Sequence, residues 1–67
     1  MKHQLVAKNK DGKVVEAMTG PLPRWLVVTM LQNSTDYWFF RRRLDAGLSI
    51  YWGEECVSRL IHEEGKP

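Results

Sequence analysis

The stretch Tyr37–Trp52, YWFFRRRLDAGLSIYW, decides the fold. Four consecutive aromatics, Tyr37 to Phe40, favour an extended strand. Asp45-Ala46-Gly47 then supplies turn chemistry, so the stretch reads as a β-hairpin. A helix from Thr35 to Ala46, ended by Gly47, is the competing reading. In the hairpin register Leu44 faces Leu48, Arg42 faces Ile50, Arg41 faces Tyr51 and Phe40 faces Trp52. Alternation then sorts the side chains into two sets. Trp38, Phe40, Ile50 and Trp52, with Arg42 at the margin, form the apolar set expected to meet the helices. Tyr37, Phe39, Arg41, Arg43 and Tyr51 form the other set, an open sheet face carrying aromatics and arginines together.

N-terminal to this stretch, residues 23–34 (PRWLVVTMLQNS) have the length of a three-turn helix. Pro23 suits its first turn and Asn33-Ser34 ends it. Val27, Val28 and Thr29 are β-branched and fit a strand as well. Thr19-Gly20-Pro21-Leu22-Pro23 reads as a break, since each proline disfavours α backbone in the residue before it. Further back, residues 3–19 read as a first hairpin around Asp11-Gly12. A two-residue loop would set Lys10 against Lys13, a like-charge pair. The three-residue loop Lys10-Asp11-Gly12 instead pairs Ala7 with Val15 and Leu5 with Ala17, giving one apolar face.

C-terminal to the stretch, residues from Gly53 onward (GEECVSRLIHEEG) predict a helix. Val57, Leu60 and Ile61 make an i, i+3, i+4 stripe, Glu54 and Glu55 sit at the N-terminus, and Gly65 is the stop. The expected architecture is a small α+β domain of order β-β-α-β-β-α, an antiparallel sheet with helices packed on one face. If residues 24–32 are a strand, the same chain gives a five-stranded SH3-like barrel with a C-terminal helix. One domain is expected over residues 1–67, frayed at 65–67.

At 67 residues the chain has room for one small core and none for a deep cofactor cleft. Its single cysteine, Cys56, rules out an intrachain disulfide and points to a reducing, cytoplasmic setting. Cys56 itself reads as a small buried hydrophobe. No apolar run follows Lys2 and His3 as a signal peptide requires, and Trp25 to Leu31 is too short to span a bilayer. Metal candidates are His3, His62, Cys56, Glu54, Glu55, Glu63 and Glu64, but their spacing matches no paired zinc motif. No cofactor, metal or small-molecule substrate is expected.

Charge is unevenly distributed. Residues 1–52 carry eight basic and four acidic side chains, residues 53–67 two and four, so the total of +2 combines a basic body with an acidic tail. All seven aromatics lie between Trp25 and Trp52, around the Arg41-Arg42-Arg43 run. A Ser-His or Cys-His pair could be drawn from Ser58 or Cys56 to His62 on the expected last helix, but Cys56 and His62 are about 600° apart around it, on different faces, and no third group completes a catalytic set. The chain is therefore expected to be non-enzymatic, a small regulator, inhibitor or adaptor of the size phage and mobile elements often encode. It would bind a larger protein or a second copy of itself through Tyr37, Phe39, Arg41, Arg43 and Tyr51. Tyrosine and arginine are enriched at binding hot spots. The alternative is single-stranded nucleic acid on the same face, with bases stacked on the rings and arginines on phosphates. A net charge of only +2 favours the protein partner.

Overall fold

The computed structural model describes residues 1–61. Four strands, β1 (Lys2–Lys8), β2 (Val14–Pro23), β3 (Ser49–Trp52) and β4 (Glu55–Cys56), form one sheet in the order β2-β1-β3-β4, and every pairing is antiparallel. Two helices, α1 (Arg24–Leu31) and α2 (Tyr37–Asp45), are inserted between the two hairpins. The expected α+β domain with helices on one face of an antiparallel sheet is formed, and α1 excludes the five-stranded SH3-like barrel, which needs a strand at residues 24–32.

The first hairpin turns where Asp11-Gly12 predicts. Gly12 has φ 82°, and the Asn9 side chain accepts hydrogen bonds from the backbone N–H of Asp11 and Lys13 at 2.9 and 3.0 Å. Its register differs from the expected one. Lys8 faces Val14, but Ala7 faces Glu16 and Val6 faces Ala17, because a bulge at Val15 shifts the strand by one residue. A second irregularity between Gln4 and Val6 lets the strand run on through Pro21 and Pro23, where a break was expected. Both prolines are tolerated because β2 lies at the sheet edge.

Pro23 then serves as the N-cap residue of α1. Val27 and Leu31, one turn apart, are buried, and the intervening β-branched residues do not prevent the helix.

The largest departure lies at Tyr37–Asp45, which is helix α2 and not a strand. Phe40 is fully buried and Leu44, at i+4, packs against the core, so helical periodicity here outweighs the strand preference of the aromatics. The end of α2 is a Schellman motif. Gly47 has φ 86°, its N–H donates to the Leu44 carbonyl at 3.0 Å, and the Leu48 N–H donates to the Arg43 carbonyl at 3.1 Å. Gly47 is therefore a helix stop and not a hairpin bulge. The second hairpin is instead β3–β4, turning at Gly53-Glu54 with Trp52 opposite Glu55.

That pairing also replaces the start of the expected tail helix. Glu55 and Cys56 are strand, and a 3₁₀ turn follows at Ser58–Leu60. Val57 and Ile61 are buried as the stripe predicted, but Leu60 is exposed. Cys56 is half-buried, with Sγ 3.3 Å from the Ser58 Oγ, and is not a core residue. The parts of the tail helix and frayed end expected at residues 62–67 lie outside the described residues.

The core is Leu5, Val27, Leu31, Phe40, Ile50, Val57 and Ile61, with Met18, Leu22, Met30, Phe39, Leu44 and Trp52 packed around it. Ile50 and Trp52 meet the helices from the sheet as the apolar set expects, whereas Phe40 reaches the core from α2 and not from a strand. Trp38 does not meet the core: it is 66% exposed, because Phe40 and Leu44 define the inner side of α2 and leave position 38 outside.

Candidate interaction surface

The five residues assigned to one sheet face do not share a face. Tyr37, Phe39, Arg41 and Arg43 lie on α2, and Tyr51 alone lies on the sheet. At 100° per residue, Tyr37 and Arg41 share one side of the helix while Phe39 and Arg43 share another.

Phe39 and Arg43 form a clamp between helix and sheet. The Arg43 guanidinium stands 4.7 Å above the Phe39 ring and donates from Nε and Nη2 to both oxygens of Glu16 on β2, at 3.0 and 2.8 Å. It also donates to the Phe39 carbonyl. These hydrogen bonds and the positive charge hold the Glu16 carboxyl below the usual glutamate range. On the other side of the helix, Arg41 pairs with Asp45 at 2.9 Å, one turn on.

A matching clamp ties α1 to β4. Arg24 donates from Nε and Nη2 to the two oxygens of Glu55, at 3.0 and 2.8 Å. The contact lowers the carboxyl pKa of Glu55 and raises that of the guanidinium. Two arginines of the assigned set, and Arg24 with them, are thus already matched to carboxylates.

Tyr51 sits on the side of the sheet away from the helices, beneath the Lys8 ammonium, 4.3 Å from its ring centre.

The exposed aromatic surface lies elsewhere. Trp25, in the first turn of α1, is 70% exposed, and Trp38, in the first turn of α2, is 66% exposed. Trp38 meets the Tyr37 ring edge-on at 5.0 Å. Neither tryptophan was assigned to the contact set, although the sequence carries a signal for both: once Val27 and Leu31 fix the inner side of α1, and Phe40 and Leu44 that of α2, both tryptophans fall outside it.

Of the metal candidates, His3 packs its ring edge-on against Trp52 at 4.7 Å and Glu55 is held by Arg24. Among the described residues, no three His, Cys, Asp or Glu side chains gather as metal ligands would. Nor is any helix there long and apolar enough to cross a membrane. No protein-family model matches the chain, and no curated protein or solved structure matches it.

Proposed function

We propose that the protein is a non-enzymatic interaction module that binds a larger protein or a second copy of itself in a reducing, cytoplasmic compartment. Its contact surface would be the helical layer, at Trp25 and Trp38. The observation that carries this reading is the exposure of both indoles at the starts of successive helices, in a chain that packs its other tryptophan, Trp52, half-buried against the core. Tryptophan contributes more to binding hot spots than almost any other residue, and a large apolar surface left in water has a use for a partner.

Single-stranded nucleic acid is the weaker alternative. Arg24, Arg41 and Arg43 each face a carboxylate, which leaves Arg42, one turn on from Trp38, as the single exposed arginine of α1 and α2 outside those ion pairs to meet phosphates beside the rings.

The test compares the wild-type protein with a W25S/W38S variant in three measurements: sedimentation equilibrium, capture of partners from a lysate of the encoding cell, and titration with a single-stranded oligonucleotide at physiological salt. Expected is an intact fold in both, a dimer or a captured protein seen with the wild type alone, and no saturable oligonucleotide shifts. Identical sedimentation and an identical captured set for the two proteins would refute the reading. Salt-sensitive saturable shifts would move it to nucleic acid.

A further inference from the structure

The open side of the sheet is a second surface, independent of the two tryptophans. Leu5, Ala7 and Ile50 are fully buried under the helices. Strand alternation therefore turns Gln4, Val6, Lys8 and Tyr51 to the other side. The register sets Val14 beside Lys8, Ala17 beside Val6, and Tyr51 on the opposite flank of Val6. Val14 and Ala17 are exposed, and Val6 is half-exposed. The molecule measures 32 × 27 × 15 Å, the thickness of one sheet and one helical layer.

Charge is segregated between the two sides. Both glutamates of the strands, Glu16 and Glu55, are held by arginines of the helices, Arg43 and Arg24. The strand lysines Lys2 and Lys8 alternate to the open side, and Lys10 and Lys13 extend the positive charge into the hairpin turn. Among the described residues, no strand carboxylate shares that side with them. The other acidic groups of the two hairpins, Asp11 and Glu54, lie in turns at its ends.

We infer that this face binds an acidic amphipathic helix of a partner protein, laid across the strands as the missing second helical layer. Its apolar stripe would rest on Val6, Val14 and Ala17, with its carboxylates against Lys2 and Lys8. A helix of about 18 residues rises roughly 27 Å, enough to cross four strands spaced about 4.8 Å apart with a turn to spare at each end. A second copy fits less well, because a two-fold pairing of these faces brings lysine rows together. Single-stranded nucleic acid fits less well too: the face offers one aromatic ring, Tyr51, and Lys8 already covers it.

The test is a selection from a display library of randomised 18-residue helical peptides. Enriched peptides are expected to carry net negative charge with apolar residues at i, i+3, i+4 and i+7. On binding they should shift the amides of Val6, Lys8, Ala17 and Tyr51. K2E/K8E and, separately, A17D should weaken binding at least tenfold with the amide spectrum of the folded protein retained, while W25S/W38S leaves it unchanged. Enrichment of neutral or basic peptides, shifts confined to the helices, or no enrichment at all overturns the inference. So does a dimer abolished by A17D, which assigns the face to a second copy, or saturable binding of a 20-nucleotide single strand abolished by K2E/K8E, which assigns it to nucleic acid.

Discussion

Arg43 and Glu16 lock the second helix onto the edge strand through two parallel hydrogen bonds of 3.0 and 2.8 Å, with the guanidinium resting on the Phe39 ring. The fork geometry suits arginine alone, because a lysine ammonium cannot span both carboxylate oxygens. Arg43→Lys is therefore expected to lower the melting temperature more than Arg42→Lys, since Arg42 is exposed on the same helix. Equal melting curves would show that the clamp contributes nothing.

The same contact gives stability a pH dependence. Glu16 and Glu55 titrate below their ordinary range in the folded protein, so at acid pH the unfolded chain binds protons first. The stabilisation is present above the ordinary glutamate range and is lost as pH falls through the lower folded-state values. Both carboxylates are solvent-exposed, so the effect is small. Chemical denaturation between neutral and acid pH should show a shallower acid loss in E16Q/E55Q than in the wild type. An unchanged slope would show that neither ion pair titrates as described.

Trp38 and Phe40 are two residues apart and should respond oppositely. Trp38→Ser removes an exposed ring and is expected to change stability by no more than about 0.5 kcal/mol. Phe40→Ala empties the centre of the core at a cost of about 3–5 kcal/mol, enough to unfold a domain of this size. Urea melts of the two variants decide it, and a large loss in both would restore a strand at Tyr37–Asp45, where positions 38 and 40 share a face.

Gly53 is constrained twice. Its φ is 63°, and a Cβ there would stand 2.9 Å from Cδ2 of His3. Gly53→Ala is expected to destabilise by more than Gly47→Ala, where φ is 86° but the space is open. Adding His3→Ala should recover part of the difference. An additive double-mutant cycle would show that the ring moves aside without cost.

The parts of the fold legible in the sequence are those where a local signal and the tertiary environment agree. Asp11-Gly12 turns the chain wherever the strands pair, and Pro23 starts a helix whose inner residues, Val27 and Leu31, recur one turn apart. Tyr37–Phe40 is not a strand because strand preference is a statement about packing on a pleated surface, and these rings instead sit on a helix, with Phe40 in the core and Phe39 packed at its edge. The single sheet face expected for the candidate site is lost with it. Tyr37, Phe39, Arg41 and Arg43 alternate along a strand but divide around a helix, and the carboxylates that occupy Arg43 and Arg24 come from residues 27 and 31 positions away. Such partners leave no mark in a window of local sequence. The tail was misread because Glu55 and Cys56 suit a helix start until Tyr51 and Trp52 offer them an edge to pair with.

The sheet order β2-β1-β3-β4 places β1, which precedes the other three strands in sequence, inside the sheet, between β2 and a strand that follows both helices. The β1–β2 hairpin can close as soon as Pro23 has emerged, but it then presents the other edge of β1 to solvent until Ser49–Trp52 arrives. The late step closes a long loop and is slow on entropic grounds. A nascent or truncated chain ending before Ser49 thus displays the bare edge of β1, and there self-association and proteolysis compete with folding.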